Sequence, residues 1–322
     1  MSKLLLTDIL DIQHPIIMAP MFLVSNTAMV KAALDHGITG CFPALNYRTI
    51  DELRAAIREI KAHSDKPFGV NLIVNKSNIY YKKQLQACVE EQVDYFITSL
   101  GSPKEVIEVS KKHGIKVFCD VINVAMAQKV EAMGCDAIIA VNSEAGGHSG
   151  NIPGHELIPL LSKSVDIPVI SAGGVATYEQ YKERMNMGAA GCSIGTIFIA
   201  SDEAPVSNDY KQACVDYRAK DIIHTTKLSG TPCTVIKTPY VEEVGTKQNF
   251  LERIMNKNKK LKKYIKMLIS KRGIDSLRKA AFSTTYKTVW CAGPTIEDVH
   301  SIRPVGQIVQ DLVHPQKELV EK

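Results

Sequence analysis

At 322 residues and 35.5 kDa the chain is long enough to bury a large core, as one big α/β domain with an appendage or as two ordinary domains. Its 45% hydrophobic and 23% charged content excludes wholesale disorder, and no apolar run reaches the roughly 18 to 20 residues that span a bilayer. The net charge of +5 is concentrated: eight Lys and Arg and no acid lie in KNKKLKKYIKMLISKR (257–272), so the rest of the chain is net acidic and no nucleic-acid-binding surface is expected on the main body.

The opening MSKLLLTDILDIQHP has Asp8, Asp11 and Gln13 interrupting its apolar run and does not read as a signal peptide. The first strand-like runs are PIIMAPM (15–21) and ITGCFPAL (38–45). TIDELRAAIREIKAHS (49–64) then reads as a helix, with Thr49 and Glu52 in the spacing of a capping box. PFGVNLIV (67–74) and DYFITSL (94–100) are the third and fourth runs. SPKEVIEVSKKHG (102–114) is a second helix, with Ser102 as its cap, Pro103 in the first turn and Gly114 as its stop. IKVFCDVI (115–122), DAIIAVN (136–142), IPVISAG (167–173) and AGCSIGTIF (190–198) bring the strand-like runs to eight. The helices AMAQKVEAMG and YEQYKERMNMG among them both end in Met-Gly, with glycine at the left-handed stop.

These runs are apolar almost without interruption, as expected of parallel strands covered on both faces. Eight β units, each followed by a helix, predict an α/β fold, a closed TIM (β/α)8 barrel. An open doubly wound sheet is the rival, but PIIMAPMF stands where that fold would carry a G-x-G-x-x-G turn. The expected organisation is a barrel over 1–225, a helical lid or insert over 226–290, and a C-terminal segment, 291–322, packing back on the barrel. Within the insert, Phe250, Ile254, Leu261, Ile265 and Leu268 are spaced to form an apolar stripe over 246–282. Its basic face reads as a solvated surface, with docking of an acidic partner or attraction of a dinucleotide phosphate as the alternatives. The eight cysteines are scattered, with no CxxC pair and no zinc-like spacing, which points to small buried hydrophobes and a reducing cytoplasm.

In a barrel, function sits where strands end and helices begin. Those positions are Ala19-Pro20-Met21, Asn46, Asn71, Ser99, Asp120 and Asn123, the loop EAGGHSG (144–150), Ser171 to Gly174, and Ser193 to Thr196. SAGGV after strand seven and IGT after strand eight predict a phosphate site, from backbone N–H groups and the N-termini of the helices that follow. A Schiff-base lyase needs a lysine at a strand end, and none stands there. A two-base isomerase needs a carboxylate, for which Glu144 and Asp120 are candidates, although Glu144 also reads as an anchor for its glycine loop. The apolar tip after strand one, Ala19 to Phe22, suits a flat aromatic ring, and FMN is the economical ligand.

PIIMAPM, GVNL (69–72), SEAGGHSG (143–150), VISAGGV (169–175), IGTIFIAS (194–201) and the tail VWCAGPTIEDV…RPVGQIVQDLV (289–312) resemble, in order and spacing, the nitronate monooxygenase family, formerly 2-nitropropane dioxygenase. That family shares its barrel with FMN-dependent enoyl-ACP reductase II enzymes and some NAD(P)H:quinone reductases. The resemblance spans about 8–310. It implies that Ala19, Pro20, Met21, Phe22 and Asn71 lie by the flavin, that Gly146 and Gly147 are the first glycines of the family's loop, and that His148 stands over the flavin. It also implies that Gly173, Gly174, Ser193, Ile194, Gly195 and Thr196 hold the phosphate. With Asp120, Glu144, Ala145 and Ser171 at the same strand ends, these form the expected cofactor-binding set, and His148 is the expected catalytic residue. The chain departs from the family's pattern at Val141-Asn142, where Gln-Gly is usual, at Ser193, where glutamine is common, at Phe22, which would narrow the pocket, and at Asp120.

His148 has three readings: a general base for the acidic proton next to a nitro group, a donor that stabilises a nitronate or enolate oxygen, or a side chain that only packs. Its glycine neighbours favour the first two. The function expected is therefore FMN-dependent nitronate monooxygenase acting on a small molecule with dioxygen. The alternatives are an NAD(P)H-dependent reductase of quinones or enoyl-ACP and, outside redox chemistry, a phosphate-binding isomerase or lyase. The same reading expects no metal, no nucleic acid and no membrane partner, and leaves room for a homodimer.

Overall fold

The computed structural model describes residues 4–75, 78–226, 232–246 and 289–315. Eight parallel strands pair in sequence order: β1 (Ile16–Met18), β2 (Thr39–Pro43), β3 (Gly69–Ile73), β4 (Tyr95–Ser99), β5 (Lys116–Val121), β6 (Ala137–Val141), β7 (Val169–Ala172) and β8 (Gly191–Ile194). β8 returns to β1, with Ile17 opposite Ser193, so the barrel is closed. This is the TIM barrel expected from the sequence, and each strand lies inside its predicted run.

Alternation along the strands sorts their residues into two cores. Ile17, Cys41, Tyr95, Ile97, Phe118, Ala137, Ile139 and Ile170 point inward and fill the barrel. The Tyr95 and Phe118 rings stack at 5.0 Å there, and Gly69 makes room for them, since a Cβ at that position would collide with the Tyr95 ring. Leu6 and Leu10, from the helix Leu6–Leu10, join this cluster. The Leu6 N–H donates to Ala190 O, so this helix seals the end where strands begin. Ile16, Phe42, Val70, Phe96, Val117 and Ile138 point outward into the core beneath the helices. Both faces of each strand are apolar, which is why the runs lack a period-2 signal.

The helix signals hold with one correction. Thr49 Oγ1 accepts from Glu52 N–H at 3.1 Å and Glu52 Oε2 accepts from Thr49 N–H at 3.2 Å, closing the predicted capping box on the helix Ile50–His63. Gly134 and Gly188 adopt the left-handed conformation at the two Met-Gly stops. The helix Lys104–Lys111, however, has Pro103 at its N-cap and no side-chain cap, so Ser102 does not serve as one.

Beyond residue 220 the chain adds a two-stranded antiparallel sheet, β9 (Ile222–Thr225) with β10 (Cys233–Ile236), and the helix Pro239–Val244. The boundary drawn at 225/226 therefore falls within a paired sheet, because the short β10 run TPCTVIKTP gave no sequence signal. The apolar stripe from Phe250 to Leu268 and the basic run 257–272 lie outside the described residues. The described residues resume at Val289, and Trp290 is fully buried and stacks on Tyr210 at 5.4 Å. Tyr210 Oη donates to Cys291 O at 2.6 Å. The helix Val305–Val313 then packs against the helices Thr27–Asp35 and Tyr178–Asn186.

Candidate active site

The carboxyl ends of the strands open into a cavity of about 540 Å³. Around its wall stand Ala19, Asn71, Ser99, Asp120, Val141, Ala172 and Ser193, each at the end of a different strand. Every residue of the predicted site lines this cavity except Ser171. Ser171 alternates with Ile170 and Ala172, which face the barrel interior, and is fully buried on the opposite side of β7 with its Oγ unpartnered.

The loop 144–150 is held from three directions. Asn142, itself fully buried, accepts from Glu144 N–H through Oδ1 at 2.9 Å and donates from Nδ2 to Gly173 O at 3.0 Å. Its own carbonyl accepts from Gly150 N–H at 3.2 Å, closing the loop on itself. Thr234 of β10 donates from its N–H to Gly147 O at 2.8 Å and from Oγ1 to Ala145 O at 3.1 Å. Arg184, buried at the inner side of the helix Tyr178–Asn186, donates from Nη2 to Glu144 Oε2 at 2.5 Å and to Gly174 O at 3.4 Å. Glu144 is thus the anchor that the sequence allowed. A loop this constrained presents His148 to the cavity in a defined place. His148 is exposed by surface area because it faces that open space, yet the surrounding chain desolvates it and lowers its pKa below the usual imidazole value.

Three of these anchors escaped the sequence reading. Asn142 was legible only as a departure from a pattern. Arg184 lies in YEQYKERMN, which reads as a solvated helix, although it stands three residues after Tyr181, a position that packs on the core. Thr234 had no local signal.

At the other side of the cavity, Gly173 and Gly174 adopt positive φ of 105° and 75°. A Cβ at Gly173 would collide with Asn142 and Ala145, and one at Gly174 with Glu144 and Arg184, so only glycine fits either position. Among the described residues, the backbone N–H groups of Gly173, Gly174 and Gly195 donate to no protein acceptor, and all three residues line the cavity. The helix termini expected to assist them do not. The helix after β7 begins only at Tyr178, and Thr177 and Gln180 cap it reciprocally. The helix after β8, Thr196–Ile199, is a single turn. Thr196 Oγ1 accepts from Gly293 N–H at 3.0 Å and so is turned toward the C-terminal segment.

The tip after β1 is fixed by side chains beneath it. Ser25 Oγ accepts from Met21 N–H at 2.8 Å and donates to Ala19 O at 2.9 Å. Asn46 accepts from Leu23 N–H at 2.8 Å and donates to Ser25 O at 2.8 Å. On β3 to β5, Asn71 Nδ2 donates to Ser99 Oγ at 2.8 Å, and Ser99 Oγ donates to Asp120 Oδ2 at 2.5 Å. Burial raises the Asp120 pKa to about 6, against a smaller lowering by the Ser99 hydrogen bond. Among the described residues no group of three His, Cys, Asp or Glu is placed to hold a metal, and no helix is long and apolar enough to cross a membrane.

The sequence model of the family described as nitronate monooxygenase matches residues 3–315. The chain is 31% identical over 242 residues to the (3aS,4S,5R,7aS)-5-hydroxy-7a-methyl-1-oxo-octahydro-1H-indene-4-carboxyl-CoA dehydrogenase of Mycobacterium tuberculosis, covering 74% of this chain and 67% of that protein. It is 29% identical over 275 residues to a nitronate monooxygenase of Paraburkholderia phytofirmans, covering 71% and 75%. Among solved structures it is similar to FabK from Thermotoga maritima, with a TM-score of 0.82 and 31% identity over 96% of this chain and 94% of that one.

Proposed function

The chain belongs to the nitronate monooxygenase family and is an oxidoreductase, and from that premise we propose that it binds FMN and oxidises alkyl nitronates to carbonyl compounds and nitrite with dioxygen. The observation that carries this reading is His148, presented to the cavity by a loop that bears few other side chains and is pinned by Asn142, Thr234 and Arg184.

The residues present fit the cofactor. Gly173, Gly174 and Gly195 line the cavity with backbone alone, and their N–H groups, unpartnered among the described residues, suit a phosphate. The tip Ala19 to Phe22 and the apolar wall of Ile97 and Ile139 suit the faces and edges of a flat ring. When bound, the flavin supplies the electron exchange with substrate and oxygen. The protein's own part is binding and proton control. His148, with its pKa lowered, is neutral at neutral pH. It can then take the acidic proton next to a nitro group, or donate to an oxygen of a nitronate.

A second reading, NAD(P)H-dependent reduction of quinones or enoyl thioesters, is favoured by the likeness to FabK over nearly the whole chain and to a dehydrogenase of a CoA thioester. Two measurements test the readings, and the second separates them. Purified protein reconstituted with FMN is expected to show flavin absorption bands, and their absence would sink both. Mixed anaerobically, a nitronate is expected to bleach the flavin. Rapid bleaching by NADH with none by a nitronate would overturn the primary reading in favour of the second. His148→Ala is expected to keep FMN bound and lower turnover by roughly 10²-fold. Unchanged turnover returns His148 to a packing role.

A further inference from the structure

The cavity wall holds a second ionisable group, opposite in character to His148, that the proton chemistry above leaves unused. Asn71, Ser99 and Asp120 end three consecutive strands and form a chain of hydrogen bonds that starts from the Asn71 amide as donor. Asn71 also faces Ile97 O at 3.1 Å, and a carbonyl only accepts, so the Asn71 atom there is its nitrogen. That nitrogen's other hydrogen goes to Ser99 Oγ. Ser99 spends its single hydrogen on Asp120 Oδ2. Oδ2 is therefore an acceptor in the resting chain. Asp120 Oδ1 has no protein partner among the described residues, and Asp120 lines the cavity. With Ser99 donating to Oδ2, a proton bound by Asp120 is accommodated on Oδ1, where a ligand can reach it.

The surroundings favour that proton. Asp120 is paired in the β-ladder with Ile139 and follows Phe118 of the apolar barrel interior. No Lys or Arg lines the cavity among the described residues. Few groups meet Asp120: Ser99 donates to it and Cys41 on β2 feels its charge, while Tyr95 on β4 lies in the barrel interior and His148 and Glu144 line the same cavity, with Glu144 already committed to Arg184. Cys41 and Tyr95 are held neutral by burial. Among the described residues Asp120 thus has no lysine or arginine to keep it ionised, while the carboxyl pKa is raised and the His148 pKa lowered, drawing the two toward one another.

We propose that Asp120 is the acid of this active site, donating a proton from Oδ1 to an electronegative atom of the bound ligand while Ser99, itself held by Asn71, holds its other oxygen, with His148 as the base of the same cavity. The proposal rests on the oxidoreductase reading of the cavity, but the titration of Asp120 does not.

The test begins on the ligand-free protein, with carbon-13 NMR of labelled aspartate carboxyls, the Asp120 signal being the one lost in Asp120→Asn. It is expected to titrate near 6, and near the ordinary carboxylate value it would overturn the proposal. Ser99→Ala removes a hydrogen bond that favours the charged form, so the same signal is expected to titrate at higher pH. No movement means the chain does not control Asp120. In the FMN-loaded enzyme, kcat/KM is expected to fall as pH rises through that value, because the acid form is the active one. The falling limb should shift upward in Ser99→Ala and vanish in Asp120→Asn, with kcat/KM at its optimum lowered by about 10²-fold. FMN affinity measured without substrate separates the two ligands that could take the proton. A pH dependence there that is lost in Asp120→Asn assigns the proton to the cofactor, and its absence assigns it to the substrate. A wild-type profile in Asp120→Asn would sink the proposal. If FMN does not bind the unaltered protein, the functional reading fails while the NMR result still decides whether Asp120 is a poised acid.

Discussion

The mouth of the barrel has two sides made in different ways. Around β7 and β8 the surface is backbone: Gly173, Gly174 and Gly195 offer N–H groups and no side chains. Around β3 to β5 it is side chain: Asn71, Ser99 and Asp120 project from strand ends and bond to one another. The second side needs little help, because the β-ladder already fixes where each residue points. The glycine side has no side chains with which to hold itself, so its shape is imposed by Asn142 and by the Arg184–Glu144 pair. A surface that binds through backbone borrows its rigidity from remote residues, and one that moves protons carries its own.

The glycine side depends most on Arg184. Arg184→Met leaves Glu144 half-buried and unpaired beneath the histidine loop. Loss of stability is expected at the low end of roughly 3–5 kcal/mol, since Glu144 keeps some exposure. Urea unfolding measures it, and a loss below about 1 kcal/mol would mean that the glycine side supports itself.

Gly174→Ala is expected to cost about 1–3 kcal/mol of backbone strain and to weaken FMN binding at least tenfold, because its Cβ displaces Glu144 or Arg184. Titration of FMN fluorescence reads the affinity, and a wild-type value would mean that these glycines do not hold the phosphate. Ser99→Ala, by contrast, should change FMN affinity little.

The smallest effect concerns pH. The Asp120 pKa is raised in the folded state, so the stability this group contributes is fully present below its unfolded value and lost as pH rises through about 6. Asp120→Asn removes that loss. It should match wild type near pH 4 and exceed it by about 1–2 kcal/mol near pH 8, the shift being discounted because Asp120 keeps some exposure at the cavity wall. Equal stability at both pH values would mean that Asp120 is not desolvated.

The order of the strands, the closure of the barrel and the sixth-strand position of EAGGHSG were legible in the sequence. They rest on local periodicity, glycine stops and capping patterns, all written within a few residues. Tertiary structure alone decided which face of each strand looks inward, because strands apolar on both sides carry no alternation to read. Ser171 was misplaced for that reason, and Asn71, Ser99 and Asp120 could not be seen as one hydrogen-bonded chain. It also decided the anchors of the histidine loop. Glu144 meets Arg184, and Gly147 meets Thr234, across stretches of chain that share no local pattern, and such contacts exist only once the barrel has closed.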